Sequence, residues 1–566
     1  MSQDRFSAAT PAERKQYLMQ RLQDLKNHRA PWMKRWQEVS NYISPYNGRF
    51  SVSDHQEGRS YRYINDDEAG YALNILTSGL ASGATSPVRQ WFKVIIPDQD
   101  LMLNVDVARW CAAVEQMLLR VFQASNTYNS LHALYRELCL FGVGADVVYY
   151  DERNVIRHHV LTAGEYCIQV NNDNVVDTLY REFQLTVGQA VRQFGYDNVS
   201  DTIRKRYDQG YLEEWFTFCH AIEPRHDRDP GSKTNKNMPY ASYYFQVDSD
   251  VRGNEIISES GFNRFPALCP RWEVITGEAY GISPSITALP NVKQLQQECY
   301  AKSTALELLI NPPIQAPSTM RQDTLSMAPG AVSFTGSTGV DQTIKPIISG
   351  VGDINAITQD ILQLKQDIRR DFFVDLFLMV QQAQDDRKTA TEIYALKEEK
   401  MLVLGAVVER LQHELLGPLV TMTFDKMRED NLLPPAPEII ANAQLDLEFQ
   451  SMLAQSQRAV DINAIDRMLA NVQAVSASLP EVLDRINPDG LCDVYRDRLA
   501  VDPKIFRSTD EANELRQQRN EAMAQQQQSE QMQMGAGALN QLMQAQKAGA
   551  QASEATQSLD AVGGMM

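Results

Sequence analysis

The side chains of this sequence that could take part in metal binding or catalysis are neighbouring carboxylates and scattered histidines. Asp66-Asp67-Glu68 and Asp385-Asp386 place acidic groups side by side, and carboxylate oxygens are ligands that Mg²⁺ prefers. His158 and His159 are adjacent, so on a strand they point to opposite faces and cannot hold one metal ion together. His413-Glu414 lacks the second histidine of a zinc protease motif. We interpret the carboxylate groups as solvated turns and expect no metal site, no cofactor and no catalytic residue.

Three short glycine-containing segments resemble parts of enzyme motifs without completing them. Gly231-Ser-Lys-Thr234 lacks the first glycine of a phosphate-binding loop and has a different residue order. Gly142-Val-Gly144 follows a helical pattern, whereas a dinucleotide-binding loop opens a helix. Gly281-Ile-Ser283-Pro-Ser285 lacks the closing glycine of a nucleophile elbow. The sequence therefore predicts turns and close packing at these positions, and a protein that is not an enzyme.

The composition narrows the classes of function. The chain has 566 residues, 43% of them hydrophobic, and a formal net charge of −18. This length is enough for about two to four ordinary domains or for one large elongated subunit. A protein that grips nucleic acid neutralises phosphates with a basic face, so the acidic balance argues against tight binding. It does not exclude a protein past which nucleic acid slides.

Cysteine usage and hydropathy indicate a soluble intracellular protein. The seven cysteines are widely spaced without a CxxC pair, which is typical of reduced thiols. The N-terminus opens on a polar helical pattern without the apolar core of a signal peptide. The longest apolar run, Met401–Val408, is far shorter than the ~20 residues of a membrane span. We therefore expect no membrane association.

Hydrophobic periodicity predicts an α+β fold that is predominantly helical. A helix is expected at Ala12–Ile43, broken at Pro31, and another at Glu68–Ser82, where Gly79 and Gly83 suggest close packing. The remaining helices of the first half are expected at Val105–Ser125, Tyr128–Phe141 and Val187–Phe194. Strands are expected at Trp91–Ile96, Ala145–Tyr150, Val155–Val160, Glu165–Val170, Val175–Glu182, Glu213–His220, Ser242–Val247 and Glu255–Glu259.

The second half is almost entirely helical in its pattern. Two long helices, Ile286–Ile310 and Ile354–Val380, each have one narrow apolar stripe and flank the proline-rich insert Asn311–Gly352. A short polar loop, Gln381–Lys388, follows. Thr389-Ala-Thr-Glu392 is a capping box, and it opens a helix that can reach Met427 with kinks at Gly405 and Pro418. Such a helix–insert–helix–loop–helix layout suits the wall of a pore better than an active-site cleft.

Four segments of the chain together form a recognisable pattern. They are Arg29-Ala-Pro-Trp32, Leu80-Ala-Ser-Gly-Ala-Thr-Ser-Pro87 leading into Trp91-Phe92-Lys-Val, Gly277-Glu-Ala-Tyr-Gly-Ile-Ser-Pro-Ser285, and Thr389-Ala-Thr-Glu-Ile393 at the start of the longest helix. These segments resemble the portal, or head-to-tail connector, proteins of short-tailed double-stranded DNA bacteriophages. Thr389–Ile393 is the most specific match, although Lys388 departs from the methionine that often precedes this motif in the family. The resemblance spans residues from about 15 to 500.

The resemblance implies a ring of twelve copies around a central channel at one capsid vertex, through which DNA enters during packaging and leaves during ejection. It implies the following regions: a wing at 1–282, stem helices at 283–310 and 353–380, a clip at 311–352, a tunnel loop at 381–388, a long kinked wing helix at 389–430, a crown at 431–509 and a Gln-, Met- and Ala-rich tail at 510–566. The tail is interpreted either as a barrel helix or as a disordered end.

Individual residues acquire roles from the same resemblance. The tunnel loop would meet DNA through Gln381, Gln382, Gln384, Asp385, Asp386, Arg387 and Lys388. The stem would line the channel with Lys365, Arg369 and Arg370. For Arg369 and Arg370 the alternative is ion pairing with Asp371, Asp375 or a neighbouring stem. The clip would dock partners through Pro312, Pro313, Arg321, Gln322, Asp323 and Phe334, and the motif residues are Thr389, Ala390, Thr391 and Glu392.

The implied partners are further copies of the chain, double-stranded DNA, the large terminase, tail adaptor or nozzle proteins, and major capsid and scaffolding proteins. Internal core or ejection proteins are further candidates. The implied location is a unique capsid vertex of the virion, after assembly in the host cytoplasm. Two other functions remain open: an acidic, metal-dependent DNA-processing enzyme and a helical scaffold protein.

Overall fold

A computed structural model describes residues 11–51, 62–98, 101, 104–228, 231, 234–248, 256–317, 328, 330–335, 345–346, 354–382, 404–440, 446–449, 465–473, 490–491, 494–495, 512, 514–526, 537, 541–545 and 547. The chain divides into two compact units. The first comprises Met1–Ile95, Ala113–Pro435 and Leu445–Asn463, and the second comprises Ile96–Ala112, Ala436–Gln444 and Ala464–Met566. Helices and strands are mixed in the described chain, as predicted.

The first helix, α1 (Pro11–Ile43), runs the whole length of the predicted segment. Its apolar residues recur every three or four positions, so that Leu18, Leu22 and Leu25 pack into one core cluster with strand residues such as Phe245. The predicted break at Pro31 is wrong, because this residue lies inside the continuous helix. Residues on both sides of the proline are buried, and this tertiary packing offsets the hydrogen bond that proline cannot donate.

Three further helices and one strand of the first half match their predictions closely. These elements are α2 (Glu68–Ala84), β1 (Phe92–Ile95), α3 (Val105–Ala124) and α4 (Thr127–Phe141). In α2, a Cβ atom added at Gly79 would lie 2.3 Å from the Phe377 ring, so close packing is confirmed there. No atom of the described residues lies within 4 Å of the same position at Gly83, so the structure does not support the prediction of close packing there.

Antiparallel strands build the centre of the first unit. The elements of this region are β2 Ala145–Asp151, β3 Val155–Leu161, β4 Tyr166–Val170, β5 Val176–Thr186, α5 Val187–Phe194, α6 Asp201–Asp208, β6 Trp215–Pro224, β7 Tyr240–Gln246, β8 Ser258–Phe262 and β9 Ala267–Leu268. A three-stranded sheet has the order β3-β2-β9, and a five-stranded sheet has the order β4-β5-β6-β7-β8. Predicted strands are confirmed with shifts of a few residues at their ends, whereas β9 and the helix α6 were not predicted.

Two long helices then form an antiparallel hairpin with a small sheet between them. They are α7 (Pro284–Ile310) and α8 (Ile354–Asp371). In the insert, β10 (Ile314–Pro317) pairs in parallel with β11 (Val332–Thr335) and antiparallel with β12 (Lys345–Pro346). The backbone N–H of Gly330 donates to the carbonyl oxygen of Asn311 at 2.8 Å. The insert thus folds back to the end of α7.

The second long helix is shorter than predicted. It ends at Asp371, and a separate helix, α9 (Val374–Gln382), begins three residues later. The prediction of one continuous helix over Ile354–Val380 is therefore wrong. Helix α9 also includes Gln381 and Gln382, so the first two residues of the predicted polar loop are helical.

The last long helix is described from residue 404 onward. It consists of α10 (404–411), a π-helical turn (Gln412–Leu416) and α11 (Gly417–Glu429). The irregular turn lies directly before Pro418, one of the two predicted kink points, whereas Gly405 lies within regular helix. Strand β13 (Asp446–Phe449) pairs antiparallel with β1. A strand of the predicted crown therefore joins a strand of the predicted wing.

The second unit includes the start of α3, where Val107 and Cys111 are buried, and short helices nearer the C-terminus. Residues 465–473 and 514–526 are helical, and every described side chain of 514–526 is exposed. Among the helices that the structure describes, none combines the length and the apolar character needed to span a membrane. Free cysteines are described at Cys111, Cys139, Cys167, Cys219, Cys269 and Cys299.

Candidate functional site

The start of the α7–α8 hairpin is anchored by two buried serines. Ser283 caps α7, its Oγ accepting a hydrogen bond from the Ile286 backbone N–H at 3.0 Å, and it also donates to the carbonyl oxygen of Leu140 at 2.7 Å. Ser285 Oγ donates to the carbonyl oxygen of Cys139 at 2.8 Å. Because both hydroxyls hold α7 against the end of α4, the segment that resembles a nucleophile elbow is a structural joint.

Polar residues inside the hairpin connect it to the segment before α2. Asn291 Nδ2 donates to Asp371 Oδ2 at 3.2 Å across the two helices. Gln296 is buried although its side chain is polar. Its Oε1 accepts from the backbone N–H groups of Asn65 and Asp66, at 2.5 and 2.9 Å. The water-facing side of α7 is thus narrower than its sequence suggests.

Two of the three predicted stem cations are held by acidic residues at the start of α2. Lys365 Nζ lies 2.6 Å from Asp66 Oδ2 and 3.6 Å from Glu68 Oε2. Arg369 Nε lies 2.6 Å from Glu68 Oε1, and this hydrogen bond raises the pKa of Arg369. The interpretation of Asp66-Asp67-Glu68 as a solvated turn is wrong, because two of these carboxylates form ion pairs with α8.

Arg370 differs from its neighbour. Its side chain is 75% exposed and pairs only within its own helix in the contacts described, with Asp367 at 3.0 Å. Ion pairing was one of the two alternatives for Arg369 and Arg370, but neither partner found here is Asp371 or Asp375. Of the three predicted channel residues, Arg370 presents the most accessible positive charge.

The apolar stripe of α7 divides into a buried and an exposed half. Leu289, Val292 and Leu295 are buried near the start of the helix. Beyond Cys299 the same helix exposes large apolar side chains, and α8 exposes one as well. These residues are Tyr300 (65% exposed), Leu306, Leu309, Ile310 (75% exposed) and Leu362. An apolar surface of this kind on a single chain is typical of a protein–protein contact.

The predicted clip residues are only partly within the described chain. Pro312 and Pro313 lead from α7 into β10, and Pro313 is buried. Phe334 lies on β11. Arg321, Gln322 and Asp323 lie outside the described residues.

The predicted DNA-contacting loop is described only at its first two positions. Gln381 and Gln382 end α9. Gln384, Asp385, Asp386, Arg387 and Lys388 lie outside the described residues, as do the motif residues Thr389, Ala390, Thr391 and Glu392. Their assignments stay predictions.

A buried polar trio escaped the sequence analysis. Thr127 Oγ1 lies 2.9 Å from His158 Nε2, and His158 Nδ1 lies 2.5 Å from Asp146 Oδ2. The order hydroxyl, imidazole, carboxylate is that of a catalytic triad. However, Thr127 and Asp146 are fully buried and His158 is nearly so. A substrate cannot reach Thr127, so the trio ties α4 to β2 and β3. The adjacent pair His158-His159 was the sequence signal for this trio, because a strand buries one of two neighbouring residues and exposes the other.

Glu414, part of the incomplete zinc protease pattern, is the partner of a buried arginine. Its Oε2 accepts from the Arg271 backbone N–H at 2.9 Å, and its Oε1 accepts from Arg271 Nε at 3.1 Å. Arg271 is 2% exposed, so the pair is structural. Within the described ranges, no group of three or more His, Cys, Asp or Glu residues is arranged to hold a metal ion.

Comparison with known proteins identifies relatives along most of the chain. The family described as bacteriophage head to tail connecting protein matches residues 15–506. A protein of Bordetella phage BPP-1, named a probable portal protein, is 40% identical over 529 residues, which are 93% of this chain and 95% of the relative. The portal protein of Salmonella phage epsilon15 is 34% identical over 507 residues, covering 89% of this chain and 91% of the relative.

Among solved structures, the neck of an empty gene transfer agent particle is similar with a TM-score of 0.33 and 12% identity, covering 72% of this chain and 86% of that chain. The family match and the two relatives favour neither an enzyme nor a scaffold. The chain therefore belongs to the bacteriophage head to tail connecting protein family, in which it has the portal role of a structural connector.

Proposed function

We propose that twelve copies of this chain form a ring at one vertex of the virion, and that double-stranded DNA enters and leaves the head through its channel. The observation that carries the ring is the exposed apolar half of the stem hairpin, from Tyr300 to Ile310 on α7 with Leu362 on α8. These side chains would be covered by the stem of the next copy, since burying apolar surface is the main favourable term in association.

The charge distribution supports a channel that lets DNA slide. Twelve chains of −18 give a ring of about −216, and DNA carries one phosphate per ~1.7 Å of its axis. Asp66 and Glu68 already form ion pairs with Lys365 and Arg369, so these cations are less available to phosphates. Arg370 remains the stem residue best suited to a transient phosphate contact.

The insert is proposed as the docking surface for the large terminase during packaging and for tail adaptor or nozzle proteins afterwards. Its strands β10, β11 and β12 form a small sheet at the far end of the hairpin from Ser283. Arg321, Gln322 and Asp323 lie outside the described residues, between β10 and β11 in sequence. Replacing all three with alanine is therefore a milder test than deleting Gln322–Val340, which would remove β11.

For the triple variant we expect intact rings and loss of DNA packaging. Normal packaging with this variant would contradict the docking assignment. Contacts with major capsid, scaffolding and internal core or ejection proteins are assigned to the remaining surfaces of the ring. Assembly in the host cytoplasm belongs to the same proposal.

The ring is tested by electron microscopy of the purified chain, viewed end-on, with a count of its rotational symmetry. Leu306→Asp places a charge in the proposed contact, and Leu212→Asp is a matched control because the two leucines are 41% and 42% exposed. We expect Leu306→Asp to yield separate chains and Leu212→Asp to yield twelvefold rings. Rings that survive the first substitution, or a different symmetry, would count against the proposal.

A further inference from the structure

The stem contains a break that opposes the local sequence pattern. Phe373, between α8 and α9, has a φ of 55°, in the left-handed region that bulky residues rarely adopt. Its N–H donates to the carbonyl oxygen of Arg370 at 3.1 Å, and its own carbonyl oxygen accepts from Leu376 at 3.0 Å. The break is thus closed by hydrogen bonds on both sides, and it is a formed turn.

The apolar residues around the break favour a straight helix. Leu364, Ile368, Phe372 and Leu376 recur every four positions, as in a single helix that runs through the break. All four are buried. Because no glycine or proline interrupts residues 354–382, the chain itself does not require a break at Phe373. Tertiary contacts must supply the difference.

Trp272 supplies the contact at the break itself. Its ring lies against the Phe373 ring, with 6.3 Å between the centroids and 34° between the planes. Trp272 is buried, and its backbone N–H donates to the carbonyl oxygen of Gly142 at 2.9 Å. Beyond the break, the ring of Phe377 packs where Gly79 of α2 leaves room for it.

The last long helix forms a hydrogen bond with the backbone of the same tryptophan. Arg410 Nη1 donates to the carbonyl oxygen of Trp272 at 2.6 Å. One helical turn later, Glu414 accepts hydrogen bonds from the backbone and the guanidinium of Arg271. Phe373 and Arg410 are 37 positions apart in sequence (410 minus 373), yet both contact Trp272.

We infer that Trp272 is the clamp of a two-position hinge at Phe373. With the clamp closed, α8 and α9 are separate helices at an angle. With Trp272 released, Phe373 takes an ordinary helical φ and residues 354–382 become one helix. The inference rests on the proposed channel function, because α9 leads into the loop predicted to meet DNA, and the hinge would set where that loop begins.

The test is a distance between spin labels at Gln359 and Gln381, introduced through genetically encoded amino acids so that the seven native cysteines stay unlabelled. A straight helix would separate the two backbones by about 33 Å, from 22 residues at 1.5 Å each, and the bent form must be shorter. We expect Trp272→Ala to shift the distance towards the straight value. Trp272→Phe, which keeps a ring against Phe373, should leave it short.

A second pair of variants removes the dependence on Trp272→Ala folding. In Phe373→Ala the positive φ is still unfavourable and the ring contact is lost, so the distance should lengthen. In Phe373→Gly the positive φ is no longer unfavourable, so the distance should stay short. An unchanged distance in Phe373→Ala, or a lengthened one in Phe373→Gly, would overturn the hinge. The distance is read without DNA, so failure of the clamp is distinguishable from failure of the ring, which the end-on images report.

Discussion

Gly142 and Gly281 each occupy the space that a side chain on the other would need. A Cβ atom on Gly142 would lie 2.2 Å from the carbonyl oxygen of Gly281, and a Cβ atom on Gly281 would lie 2.4 Å from the carbonyl oxygen of Gly142. Gly142 also has a φ of 79°. This reciprocal approach places the end of α4 against the segment that leads into α7, two residues before Ser283 caps that helix.

Substituting Gly281 with alanine should therefore destabilise the first unit. The added methyl would push against backbone, which cannot rotate away as a side chain can, so we expect a loss of about 3 kcal/mol or more in the free energy of unfolding. Gly405→Ala is the control, since a Cβ there meets nothing within 4 Å. Guanidinium unfolding curves measure both, and equal midpoints for the two variants would contradict the close approach.

Helix α2 offers a matched pair of glycines one turn apart. Gly79→Ala would place a methyl 2.3 Å from the Phe377 ring, whereas Gly83→Ala meets open space. Alanine favours a helix over glycine by about 1 kcal/mol, so Gly83→Ala should raise the melting temperature. Gly79→Ala should lower it, because the ring of Phe377 must move. If both variants gain stability alike, the packing of α9 on α2 is looser than described.

Arg369 and Arg370 should separate a structural from a DNA-contacting cation. Arg369→Ala leaves the buried Glu68 with Lys365 alone, 3.6 Å away, and should cost about 1–2 kcal/mol of stability. Arg370→Ala should change stability by less than about 0.5 kcal/mol but reduce DNA retention in filled heads. Thermal melting and retention assays on both variants decide this. Reduced retention in Arg369→Ala with unchanged melting would reverse the two roles.

Glu115 on α3 should make stability depend on pH. Burial raises the pKa of Glu115 from 4.5 to about 7, although the Val94 backbone N–H and Gln90 Nε2 donate to its carboxylate at 2.7 and 2.6 Å. Between these pH values the folded chain keeps a proton that the unfolded chain has lost. Stability is therefore fully present below about pH 4.5 and declines as the pH rises to about 7, by roughly 3 kcal/mol.

Glu115→Gln should remove this decline, because glutamine keeps a hydrogen-bonding side chain of the same shape without the charge. Burial also raises the pKa of Glu137 and Glu223, so the measured quantity is the difference in unfolding free energy between the natural chain and the variant, from pH 5 to pH 8. A difference that stays constant over this range would rule out Glu115 as the titrating group.

Much of the local structure was predictable because it depends on near neighbours. Strands such as β3 (Val155–Leu161) alternate buried and more exposed residues over most of their length, and α7 repeats its apolar residues every three or four positions, so periodicity located both. The pairing of β1 with β13 joins residues 92–95 to residues 446–449. No local pattern encodes which distant strands meet, and this pairing was not predicted.

The sequence by itself determined the order of helix, insert and helix, the acidic balance, and the motifs that resemble portal proteins. Only the tertiary structure decided that Arg369 pairs with Glu68, 301 positions earlier in the chain, and that the helix expected over Ile354–Val380 breaks at Phe373. The sequence of α8 does not specify which surface its charged side chains will contact. At Phe373 the local pattern favours a straight helix, whereas in the structure α8 ends at Asp371, the Phe373 ring lies against Trp272 and the Phe377 ring packs at Gly79.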